Sequence, residues 1–182
     1  MIFGMTPLTF VHVVISLIGI GSGLMVVYGL LAAKRLAVWT AIFLTTTVLT
    51  SVTGFFFPLE RFTPGIGIGI ISLVVLAIAI VALYVWQLAG FWRPAYVVSS
   101  VVALYLNVVV LIVQMFGKIP PLHALAPTQA EAPFLVTQLL ALAAFVAIAI
   151  GGVIRFRVLP TPQEAWPSRA RKDIDRAKLK QV

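Results

Sequence analysis

Two histidines, a nearby glutamate and a handful of amides are nearly all that this sequence offers for chemistry inside or beside its apolar stretches. His12 lies near the start of the first apolar run, His123 lies between the fourth and fifth, and Glu131 follows shortly after it. An imidazole can ligate haem or a metal, move a proton, or simply fix a buried hydrogen bond. Thr53, Gln114 and Gln138 fall at nearly the depth of His12 when the runs are laid antiparallel, with Gly69 near the same level. Asn107 lies on the face of the fourth run that carries Ser100 and Gln114, because all three recur at heptad spacing. These positions predict a polar layer on which four helices converge. The connection KIPPLHALAPTQAEA, from Lys118 to Ala132, is the longest in the chain and should fold back over that layer with His123, Gln129 or Glu131.

Three uses of such a layer compete. In the leading one, His12 bonds to Gln114 or Gln138 and fixes packing, since polar groups inside a bilayer must find partners. In the second, His12, Thr53, Asn107, Gln114, His123, Gln129 and Gln138 line a pocket for a small or lipid-like molecule. In the third, His12 and His123 hold haem b or bind a quinone, or form a metal site with Glu131, although the spacing is not diagnostic of a metal. There is no cysteine, so disulfides, thiolate catalysis and iron–sulfur ligation are excluded. No Asp, Glu, Lys or Arg lies well inside any apolar run, which argues against an ion-coupled carrier but leaves a facilitator of neutral solutes open. Little remains for a hydrolytic site, so a catalytic role is not expected.

The elements that must position these groups are read from hydropathy. The chain is 62% hydrophobic and only 10% charged, against about 25% charged in soluble domains. Five apolar runs stand out, at about 8–33, 36–57, 65–91, 94–117 and 133–154. Each is long enough, at about 1.5 Å per residue, to cross a hydrocarbon core of about 30 Å. They predict an all-α bundle of five transmembrane helices over residues 1–157, followed by a basic tail over 158–182. Gly19 and Gly23 on the first helix, and Gly65 and Gly69 on the third, are expected to let helices approach closely. Thr46, Thr50 and Thr53 share a face of the second helix, where their hydroxyls can bond back to carbonyls one turn earlier.

The net charge of +8 does not point to nucleic acid, because the basic residues flank apolar runs or crowd the C-terminus. Lys34, Arg35, Arg93 and the tail fall on one side of a five-span bundle, and Arg61 and Lys118 on the other. The positive-inside rule then sets the N-terminus outside and the C-terminus in the cytoplasm. Tyr28, Trp39, Trp86, Trp92 and Tyr96 fall near the basic side, where amphipathic rings prefer to lie. Ser168 could cap a short helix in the tail, whose cations could contact anionic lipid.

The string from Leu122 to Gln129, LHALAPTQ, followed by Glu131, Pro133 and Phe134, resembles a group of small uncharacterised bacterial inner-membrane proteins. An early histidine, here His12, and a Thr-Gly-Phe at the end of helix two, here Thr53-Gly54-Phe55, extend the likeness over about residues 5–156. The resemblance implies a multi-pass protein of the bacterial inner membrane and implies no activity. The expectation is therefore a small non-catalytic membrane subunit or scaffold with a polar pocket. Its partners would be the lipid bilayer and other membrane subunits or further copies of itself. A haem or quinone redox protein using His12 and His123 is the alternative, and a solute facilitator a further one.

Overall fold

The structure, a computed structural model, describes residues 6–57 and 64–156. The segment 58–63 and the tail from 157 onward, with Ser168 and most of the basic residues, lie outside the described residues. Helix α1 spans Pro7–Leu31, α2 Ala37–Gly54, α3 Pro64–Ile80, α4 Trp92–Lys118, α5 Pro120–Leu125 and α6 Ala132–Arg155. No strand occurs among the described residues. Five of these segments are long and apolar enough to cross a membrane: α1, α2, Gly65–Val85, α4 and α6. In lipid a backbone polar group has no water to bond, and an α-helix satisfies nearly all of its own.

Local chemistry sets several ends. Thr6 caps α1 by accepting a hydrogen bond from the Thr9 N–H, and Pro7 occupies the first turn, where its missing donor costs nothing. The third apolar run does not continue to residue 91 as a straight helix. It passes through a π-helical turn at Val81–Val85 and then reverses through Gln87, Leu88 and Gly90, all at positive φ. Leu88 N–H reaches back to the Ala82 carbonyl at 2.9 Å, and Trp86 stacks on Trp92 at 5.4 Å across the turn. Apart from Gln87 the residues here are mostly apolar, so hydropathy alone does not register the reversal. α4 begins at Trp92, with Pro94 inside its first turn. The connection after it is not structureless, because Pro120 and Pro121 start the short helix α5.

α4 is the hub. It packs on α1, α3, α5 and α6, while α2 fits between α1 and α3. The apolar window of α4 is 44% buried inside the bundle and that of α6 only 6%, so α6 rests on the outside of α1 and α4.

The two ends of the bundle are built differently. At the end holding the α1 C-terminus, Val27, Leu30, Phe43, Leu76, Ala79, Tyr96, Val97 and Phe156 belong to one buried core. Gly23 permits this packing, because Leu104 and Phe43 press against the place where a Cβ would stand. Gly19 lies against Thr46, Thr47 and Asn107. Gly152 does the same service for α6 against Val97. At the opposite end the helices turn small residues toward one another and leave a cavity.

Candidate functional site

The cavity is bounded by α1, α2, α3 and α4 at the end that holds the α1 N-terminus, and its volume is about 670 Å³. Ser16, Ser51, Gly54, Gly65, Gly69 and Ser72 stand on its wall where bulkier residues would fill it. Asn107 lies at its floor, donating from Nδ2 to Thr47 Oγ1 at 3.4 Å, directly above the packed half. Gln114 and Lys118 lie further along α4 toward the end of the helix and also line the space. Most of the remaining wall is aliphatic or aromatic, from Val13, Leu17, Ile20, Phe55, Val110 and Leu111 among others.

His12 carries the wall's imidazole. It is half-buried, and its Nδ1 stands 2.8 Å from Thr53 Oγ1 on α2. The Phe57 ring meets the imidazole edge to face at 5.1 Å, and Gly54 leaves room beside its Cε1. The Thr53 hydroxyl bonds back to the Leu49 carbonyl at 2.7 Å, and Ser16 bonds back to the His12 carbonyl at 2.7 Å. These back-bonds hold the hydroxyls in fixed rotamers and leave their oxygens as acceptors.

The partner of His12 is thus neither Gln114 nor Gln138. Gln114 makes no hydrogen bond among the described residues and lines the cavity. Gln138 on α6 lies outside the cavity wall, where its Nε2 donates to the Val109 carbonyl at 3.5 Å and its Oε1 is buried without a partner among the described residues. Thr53 acts behind His12 rather than on the wall. Depth along the bilayer places these residues in one layer, but only rotation about each helix axis decides which of them meet.

The connecting segment packs on α4 instead of covering the cavity with its polar groups. Gln129, at φ +59, donates from Nε2 to the Val113 carbonyl at 2.9 Å. His123 is exposed on α5 and does not line the cavity. Glu131 turns back on its own loop, accepting from the Thr128 N–H and hydroxyl and from the Ala130 N–H. Desolvation is the largest single influence and raises the carboxyl pKa, but the hydrogen bonds together outweigh it and hold the group below the ordinary carboxylate range. His12, His123 and Glu131 are therefore not gathered into one site, and no group of three or more His, Cys, Asp or Glu among the described residues could hold a metal ion. The structure brings His12, Asn107 and Gln114 onto one cavity, with Gly65 and Gly69 in its wall. Thr9, Ser16, Thr50, Ser51, Ser72 and Lys118 add to its polar lining. Their signal in the sequence was smallness on interior faces, which is legible only once the faces are known.

Five apolar spans, four of which border an interhelical cavity, define a multi-pass membrane protein. Comparison with protein-family models, with curated proteins and with solved structures finds no match.

Proposed function

We propose that this chain is a small non-catalytic subunit of a bacterial inner membrane that holds a largely apolar small molecule between α1, α2, α3 and α4. The cavity carries this reading. Its volume of about 670 Å³ lies within the range of about 300–1,000 Å³ usual for small-molecule sites, which combine apolar walls with a few placed polar groups. The distribution of Lys34, Arg35, Arg93 and the basic tail supports an orientation with the α1 N-terminus outside, which would set the cavity in the outer leaflet. The resemblance around residues 122–134 supports the same membrane. The lipid-facing side of α6, with Leu139, Leu140, Ile150 and Ile154 more than half exposed, leaves room for another membrane subunit or a second copy. A haem held jointly by His12 and His123 gains no geometric support, since only His12 faces the cavity.

The test is extraction of the full chain in mild detergent, followed by mass spectrometry of the small molecules that leave it on denaturation. Ser16→Leu, which puts a branched side chain into the cavity, is the matched variant. The expected result is a molecule retained by the natural chain and strongly depleted in the variant. Retention of nothing beyond bulk lipid, or equal recovery from both proteins, would overturn the proposal.

A further inference from the structure

We infer that the cavity prefers a ligand presenting a hydroxyl or N–H donor to His12 Nε2, an inference that rests on the cavity being a binding site. It begins with a count of protons. The Thr53 hydroxyl carries one proton. The Leu49 carbonyl lies 2.7 Å from Thr53 Oγ1 and the Thr50 carbonyl 3.1 Å from it, and neither can donate. The hydroxyl proton is committed there, so at the 2.8 Å contact His12 Nδ1 supplies the proton and Thr53 Oγ1 accepts it. A neutral imidazole has a single N–H. Nε2 is left as a bare acceptor, with no hydrogen-bond partner among the described residues.

The two serines of α1 and α2 on this wall do not offset this. Ser16 donates to the His12 carbonyl at 2.7 Å and Ser51 to the Thr47 carbonyl at 3.0 Å. Both leave their oxygens as acceptors. The side-chain N–H donors that line the cavity, those of Asn107, Gln114 and Lys118, all stand on α4. A molecule that ends in a carbonyl or an ether would set lone pair against lone pair at His12. An amphipathic phenol or alcohol would satisfy Nε2 and bury its body against the aliphatic wall.

Two measurements on the full chain in lipid nanodiscs test this. In the His123→Ala background, ¹⁵N-histidine labelling reports His12 alone. The expected spectrum shows a protonated Nδ1 and an unprotonated Nε2, and Thr53→Val should abolish that bias. Equilibrium dialysis, corrected with empty nanodiscs, then compares 4-heptylphenol with its methyl ether. One net hydrogen bond predicts that the phenol binds about five- to tenfold more tightly, and that His12→Phe removes the difference. A protonated Nε2, or a preference that survives His12→Phe, overturns the inference. Equal binding of phenol and ether overturns it while the cavity reading stands. Binding of neither removes both.

Discussion

Gly21 and Gly23 sit on the same helix yet face opposite fates if a methyl group is added. A Cβ at Gly23 would lie 2.6 Å from Leu104 Cδ1 and 2.9 Å from two ring carbons of Phe43, whereas one at Gly21 meets nothing within 4 Å. Leu104 is 0% exposed and Phe43 1%, so neither can swing aside into lipid. Gly23→Ala therefore overpacks the closed half of the bundle, at a cost of about 1–3 kcal/mol. Both substitutions gain the same helix propensity, up to about 1 kcal/mol. The difference between the two variants isolates the steric part, and Gly23→Ala should be less stable than Gly21→Ala by about 1–3 kcal/mol. Reversible unfolding by SDS in mixed micelles measures both on one scale. Equal stability would refute the close approach of α1 to Phe43 and Leu104, and with it the division of the bundle into a packed end and an open one.

Three further outcomes follow from particular contacts. Thr53→Val removes the partner of His12 Nδ1 and should cost about 0.6 kcal/mol, and at most about 1.7, in the same unfolding assay; no loss would contradict the contact. Gly152→Leu would drive a side chain into Val97, whose Cγ1 lies 2.9 Å from the position of a Cβ, and because α6 is so little buried it should leave α1 and α4 without unfolding the rest. Distance measurement between labels on α4 and α6 reads this, and an unchanged distance with unchanged stability would contradict it. Glu131 has a folded pKa below its unfolded one, so its support of the loop is complete above the unfolded value and is lost as pH falls through the folded value. Hydrogen exchange at the Thr128 and Ala130 amides should be protected above the unfolded carboxyl pKa and open below the folded one; protection that does not change across an acid titration would contradict the carboxylate's role.

The five spans were legible because lipid selects for apolarity over a fixed length, and that preference is written in composition. The first helix was expected at 8–33 and runs Pro7–Leu31. The third was expected to reach residue 91, but its backbone leaves the helix after Val85. Trp86, Leu88, Ala89 and Phe91 remain apolar through that turn because they still face the membrane boundary or the core. Solvent preference was preserved while chain direction changed. Pro120 and Pro121 lie in the connection that was expected to fold back over the polar layer; proline suits the first turn of a helix, and α5 uses them so. At the site, His12, Asn107 and Gln114 were legible as polar residues in apolar helices. The pairing of His12 with Thr53 was not, since lipid and protein core are equally apolar and hydropathy therefore carries no signal of helix rotation. The cavity itself comes from what Ser16, Gly54, Gly69 and Ser72 lack, and missing volume becomes visible only when four helices are set around it.

Because the chain has no cysteine, single cysteines can report directly on which membrane face each connection occupies. Thr6→Cys, Phe91→Cys, Ala130→Cys and Arg155→Cys would be treated in intact spheroplasts with a maleimide that cannot cross the membrane. Positions 6 and 130 should react at once, and positions 91 and 155 only after permeabilisation. Labelling of Phe91→Cys from outside, or of Thr6→Cys and Arg155→Cys from the same side, would contradict a five-span bundle with its cavity in the outer leaflet.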